Sequence, residues 1–375
     1  MTLRVVISGV NLVEGGALEV LRDCISAFLK VRDISLICLV NDRSLFQDFS
    51  SPQLRVIEFP QVKQSWFRRI IFEYFTSSSL SRELDVDVWL SMHDISPRVF
   101  ARKQYVYCHN PSPFYRAGFR DFLLDKKFFL FTFFYHFLYR LNIKSNAAVI
   151  VQQGWMVSFF KDLLGAERVW VARPTQHPLL SKNIEVPQCI EARCVKFFYP
   201  AFARSFKNFE VIFRALRIIS KDFPSYLERI KVQVTISGDE NRYSCWLKTE
   251  FGSIAAIDWA GRMSREEVEQ CYKSADVVIF PSRLETWGLP ITEAKNAGKP
   301  LLVADLPYAH ETVGDYSSVC FFEANDADLL AQLMIKVVDG EHLFTPASHV
   351  MVEADAVLNS WSDLVNKITE EGMCR

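Results

Sequence analysis

Residues 277–314 read VVIFPSRLETWGLPITEAKNAGKPLLVADLPYAHETVG. Val277–Phe280 is a short apolar run, the pattern of a parallel strand buried on both faces. The loop that follows carries Glu285, Thr286, Trp287, Gly288 and Leu289. Pro290 suits the first turn of a helix, where its missing N–H is no loss. That helix runs through Glu293 and Ala294 to a stop at Gly298, and Pro300–Ala304 forms a second apolar strand. The stretch is thus strand, loop, helix, strand, with one glutamate on the loop and one in the helix's first turn.

Either glutamate alone has an ordinary explanation: Glu293 complements the helix macrodipole, and Glu285 is solvated. Their setting points further. Gly288 lets the backbone approach a ligand closely, and free N–H groups at a helix start favour a phosphate. Open α/β sheets bind ligands at the carboxyl ends of their strands, where this loop lies. Carboxylates accept hydrogen bonds from sugar and ribose hydroxyls. The residues describe a site for a phosphorylated polyol.

The pattern F-P-S-x-x-E-x-W-G-L-P-x-x-E-A, residues 280–294, resembles the signature of the family 4 retaining glycosyltransferases. The match is most specific over residues 195–315. The resemblance implies an α/β chain with the GT-B fold: two Rossmann-like domains with parallel sheets facing a cleft, and a C-terminal helix crossing back to the first domain. It also implies a nucleoside diphosphate sugar as donor. By the same likeness Glu285 holds the transferred sugar and Glu293 the ribose, with Trp287, Gly288 and Leu289 completing the donor loop.

Upstream, Val195–Tyr199 is a strand, followed by Pro200-Ala201-Phe202-Ala203-Arg204-Ser205-Phe206-Lys207-Asn208 and a helix from Phe209 to Ile219. A lysine opening a helix after a strand suits a diphosphate, adding a point charge to backbone N–H groups. Lys207 resembles the family's phosphate-binding lysine. Where many members carry an arginine five residues earlier, this chain has Phe202, and Arg204 is the substitute cation. Gly238 ends another strand, and Gly261-Arg262 is expected near the nucleotide base.

The first domain opens with the strand Arg4–Ser8, the loop Gly9–Gly16 and a helix Ala17–Leu29. Gly15 and Gly16 have a phosphate-binding shape, but the GxGxxG spacing of dinucleotide enzymes is missing, which argues against NAD or FAD. In the resembled family this loop borders the donor phosphates and the acceptor. His109 ends the strand Tyr105–Cys108, and the family often places a polar residue there beside the transferred sugar. His109, Lys207 and Glu285 are therefore the catalytic candidates. Asp85-Val86-Asp87 runs straight into an apolar strand and reads as strand-start acids; no metal and no organic cofactor are expected.

A chain of 375 residues, half of them hydrophobic, suits two α/β domains. The expected boundaries are 1–172, a linker 173–193, 194–358, and a crossover helix 359–375. A net charge of −1 argues against general nucleic-acid binding. Nine unpatterned cysteines fit reduced thiols in a cytosol. The N-terminal apolar run is too short for a signal peptide, and Phe128–Leu138 is too short to span a bilayer. Phe119–Asn142 is apolar on nearly all sides, so much of that helix is expected to be buried. Trp66, Phe67, Arg68 and Arg69, with Lys126 and Lys127, pair aromatic with basic residues and suggest peripheral attachment to the inner face of the plasma membrane.

The expected function is retaining transfer of a hexosyl unit, without metal, to a lipid-linked glycan acceptor in bacterial O-antigen, lipopolysaccharide or capsule synthesis. Glycoside hydrolysis needs two carboxylates across a scissile bond, which two glutamates on one loop–helix unit supply poorly. The alternatives are a sugar-nucleotide epimerase on the same fold and a non-catalytic sugar-binding subunit of a polysaccharide assembly complex.

Overall fold

The computed structural model describes residues 2–173, 194–347 and 352–374. All but Arg173 of the expected linker lies outside the described residues. Two parallel sheets organise the chain. The first holds β1 (Leu3–Gly9), β2 (Ile34–Val40), β3 (Leu54–Glu58), β4 (Val86–Ser91), β5 (Ala101–Cys108), β6 (Ala148–Val151), β7 (Val169–Ala172) and β14 (Ala356–Leu358), in the order β14-β7-β6-β5-β4-β1-β2-β3. The second holds β8 (Val195–Tyr199), β9 (Ile230–Val234), β10 (Ile257–Trp259), β11 (Val277–Phe280), β12 (Leu301–Ala304) and β13 (Val319–Phe322), in the order β10-β9-β8-β11-β12-β13.

Both are doubly wound: chain order runs outward one way from β1 and β8, then the other way from β4 and β11. The resulting switch points, β1/β4 and β8/β11, are where such sheets leave a crevice at their carboxyl ends. In the first sheet Val6 pairs with Ile37 and Trp89. Val5 and Ile7 enter the core on one face and Val6 that on the other, as the two-residue period of a strand requires.

Among the described residues, 2–114, 131–173 and 352–374 form one compact unit, and 115–130 with 194–347 form another. Two expected boundaries move. β14 belongs to the first unit, held parallel to β7 by Asp355, which accepts the Val169 N–H at 2.7 Å and pairs with Lys161 at 2.8 Å. Residues 115–130 group with the second unit, where Asp121 accepts the Ser205 hydroxyl at 2.7 Å.

The helices that flank the sheets and carry the sites are α1 (Gly15–Phe28), α2 (Trp66–Ile71), α3 (Phe119–Leu124), α4 (Lys126–Arg140), α5 (Phe209–Asp222), α6 (Arg265–Ser274), α7 (Leu289–Asn296) and α8 (Trp361–Met373). As expected, the last returns to the first unit. The Ser360 hydroxyl caps α8 at the Asp363 N–H, and Trp361, Leu364, Val365 and Ile368 enter the first core. Glu371 accepts the Tyr105 hydroxyl at 2.9 Å and pairs with Arg168 at 2.7 Å.

The aromatic stretch 119–142 departs from expectation twice. Asp125 divides it, and its carboxylate caps α4 by accepting the Phe128 N–H at 3.0 Å. Burial is one-sided: Phe128, Tyr135 and Tyr139 are covered, while Phe133, Phe134 and Phe137 are 77%, 60% and 66% exposed. Among the described residues no helix is long and apolar enough to cross a membrane.

Candidate functional site

Two loops meet at the β8/β11 switch point. The loop after β8 carries Lys207, and the loop after β11 carries Glu285; their side chains form an ion pair at 2.5 Å. Both are mostly covered, so the pair is weakly screened. The backbone beneath is cross-linked. Fully buried Asn208, with a left-handed backbone, donates to the carbonyls of Pro281 at 3.0 Å and Ala324 at 2.7 Å. The Arg283 N–H donates to the Phe206 carbonyl at 2.7 Å, and the Tyr199 hydroxyl to the Lys207 carbonyl at 2.7 Å. With their backbones held this way, a cation and a carboxylate are presented side by side.

Gly288 sits at φ 83°, a conformation that L side chains rarely adopt, and turns the chain into α7. No side chain caps α7, leaving its first N–H groups to other partners, and Leu289 beside them is exposed. Glu293 is the fifth residue of α7, one place beyond the first turn where it was expected, and accepts the Tyr272 hydroxyl of α6 at 2.8 Å. Burial pushes the Glu293 carboxyl above its ordinary range, and Tyr272 offsets part of this. Tyr272 is a site residue that sequence reasoning missed; one tyrosine in a charged helix gives no signal of its partner.

Other assigned residues have structural partners. Trp287 is buried, its ring N–H donating to Thr292 at 2.9 Å, so its side chain supports the loop. The Gly238 N–H is taken by Glu240 at 3.1 Å, and a Cβ there would lie 2.7 Å from Lys248. Glycine at that position is required by packing. Arg204 pairs with Asp125 at 2.8 Å, and Phe202 is exposed. Arg262 is exposed and makes no ion pair among the described residues.

In the first unit, His109 follows β5. Asp94 accepts the N–H groups of His109 at 2.6 Å and Asn110 at 3.0 Å, fixing the loop. The His109 ring lies 4.8 Å from Tyr107, and Gln152 approaches its Nδ1 at 3.4 Å. Burial lowers its affinity for a proton, with Asp94 opposing. Gly15 and Gly16 are exposed at the start of α1, whose cap position, Glu14, makes no capping bond.

Beneath lies a polar cluster that the sequence did not announce. His93 Nε2 is 3.0 Å from the Ser8 hydroxyl, and its Nδ1 is 3.1 Å from Glu73. Arg69 donates to Tyr135 at 2.8 Å and to the His93 carbonyl at 2.6 Å. Arg69 is therefore buried, contrary to its expected place on a membrane-facing surface. Serine, histidine and glutamate stand in the order of a nucleophile, base and acid. Ser8 is wholly enclosed, however, so no substrate reaches it and the cluster is framework. Asp85 and Asp87 are likewise occupied, by Arg4 at 2.9 Å and Arg102 at 3.0 Å.

Residues 192–354 match the family described as Glycosyl transferases group 1. The O-antigen chain mannosyltransferase B of Escherichia coli is 31% identical over 87 residues, 23% of this chain and 22% of that protein. The D-inositol 3-phosphate glycosyltransferase of Mycolicibacterium smegmatis is 28% identical over 123 residues, 32% of this chain and 27% of that protein. The chain thus spans about a quarter of the length of these curated relatives. Solved structures are alike over far more of it. WaaG, a glycosyltransferase involved in lipopolysaccharide biosynthesis, has a TM-score of 0.60 at 13% identity, covering 89% of this chain and 90% of its own. Anabaena HepE in complex with UDP-glucose has a TM-score of 0.58 at 13% identity, covering 99% and 98%. The fold is GT-B, and its second unit carries the glycosyl transferases group 1 match.

Proposed function

We propose that this protein is a retaining glycosyltransferase that moves a hexosyl unit from a nucleoside diphosphate sugar to an acceptor hydroxyl. The observation that carries the reading is the Lys207–Glu285 pair at the β8/β11 switch point, beside the uncapped start of α7. Negative charge grows on the diphosphate as the anomeric bond breaks, and a fixed ammonium with oriented N–H groups stabilises it. Lys207 is the group for that task, and the charge it supplies lets the reaction proceed without a metal. Glu285 holds hydroxyls of the transferred sugar, and Glu293, oriented by Tyr272, holds the ribose. Arg204 joins Lys207 on the diphosphate once it leaves Asp125. His109 is the first unit's catalytic contribution.

The acceptor in this reading is a lipid-linked glycan of a bacterial surface polysaccharide. The sequence likeness to an O-antigen mannosyltransferase supports it. The test is incubation with a panel of nucleotide sugars, with and without lipid-linked acceptors, following nucleoside diphosphate release. Acceptor-dependent release with retained anomeric configuration is expected. Epimerised donor formed without acceptor would replace transfer with epimerisation, and sugar binding with no turnover of any donor would leave a binding subunit.

A further inference from the structure

The outer side of α4 is apolar and uncovered. Phe133, Phe137 and Leu141 follow one another at four-residue spacing, and Phe134 flanks them, so the exposed side chains share one face. The opposite side, through Tyr135 and Tyr139, is packed into the first unit. α2 lies alongside: Trp66 meets Phe131 at 5.6 Å and Tyr135 at 5.3 Å, edge to face, and Phe67 is 72% exposed. Exposed aromatic residues grouped in this way mark an interaction surface.

Charge identifies the partner. No aspartate or glutamate occurs in residues 126–161 or 59–72. Arg68, Arg140 and Lys144 are exposed, and none pairs with a carboxylate among the described residues. A phenylalanine stripe bordered by cations and free of acids complements an anionic bilayer, where apolar groups enter the acyl boundary and cations remain among the headgroups.

We propose that the outer face of α4 docks on an anionic membrane, with Phe133, Phe134 and Phe137 inserted and Arg68, Arg140 and Lys144 at the lipid headgroups. This differs from an anchor centred on Arg69 and its neighbours, because Arg69 is committed to the buried cluster. The surface does not rest on the glycosyl-transfer reading, since binding is measured without donor or acceptor.

The test is co-sedimentation of the full chain with phosphatidylcholine vesicles, with and without phosphatidylglycerol. Binding is expected only with the anionic lipid and is weakened by salt. The triple variant F133S/F134S/F137S should lower the partition coefficient by about 100-fold or more. Charge reversal in R140E/K144E should lower it by about 25-fold or more. Should the triple variant fail to fold, Phe134→Trp gives an independent reading: its added fluorescence should be quenched by lipids brominated along the acyl chains. Equal pelleting with both vesicle types, no pelleting with either, or an unquenched Trp at position 134 would overturn the proposal. So would a dimer in sedimentation velocity that the triple variant abolishes while lipid has no effect, which would make the face a contact between copies.

Discussion

Replacing Glu285 by Gln should have opposite effects on two measurements. Glu285 holds the Lys207 ammonium at 2.5 Å, both side chains being only 13–15% exposed. A nucleoside diphosphate must take that ammonium from the carboxylate. A charged hydrogen bond of this kind contributes about 1.5–3 kcal/mol, and an incoming diphosphate recovers most of it, so the net competition is about 1 kcal/mol. Glu285→Gln removes the competitor and keeps the shape, so calorimetry should show nucleoside diphosphate binding about fivefold tighter. Turnover should move the other way, falling about 100-fold, because contacts to the transferred sugar strengthen as its bond breaks. Lys207→Ala should weaken diphosphate binding and also lower turnover by about 100-fold. If Glu285→Gln instead weakens diphosphate binding as much as Lys207→Ala does, the ion pair is not a competitor. Both side chains would then belong on the nucleotide.

Glu293→Gln should raise the apparent donor constant with little change in turnover, since ribose contacts are alike in ground and transition states. Tyr272→Phe should do the same more weakly if Tyr272 orients Glu293; an unchanged donor constant in Tyr272→Phe would remove that role. Burial, partly offset by Arg69, pushes the Glu73 carboxyl up to about 8. Its folded affinity for a proton then exceeds the unfolded one, so its stabilising effect is full below the ordinary carboxylate range and is lost as pH rises through about 8. Chemical denaturation of Glu73→Gln should show a flatter decline between the ordinary carboxylate value of 4.5 and about 8, the window of that loss, and an undiminished decline there would assign it to another group. Gly372 packs where a Cβ would lie 2.6 Å from Val88 and 3.3 Å from Leu3. Gly372→Leu should cost roughly 1–3 kcal/mol by overpacking, and a wild-type melting curve would mean that α8 is not seated on the first sheet.

Much was legible in the linear chain because its signals are local. Val277–Phe280 is an apolar strand by its own composition, Pro290 and Gly298 bracket α7, and a lysine following a strand announces itself without knowledge of its neighbours. The docking of α8 was also foreseen, through the family resemblance rather than through its residues. Tertiary structure decided what depends on which side chains meet. Lys207 and Glu285 are 78 positions apart, and only the order of β8 and β11 in one sheet makes them partners. Tyr272 reaches Glu293 from another helix, and Asp125 both caps α4 and holds Arg204. Trp287 has the same place in the motif whether buried or open, and its hydrogen bond to Thr292 settles which. α4 makes the physical reason plainest. Periodicity reports how apolar residues are distributed around a helix, and an evenly apolar helix is the same sequence whether one side or every side is covered. Whether a neighbour arrives to cover Phe133, Phe134 and Phe137 is a property of the packed chain, and among the described residues none does.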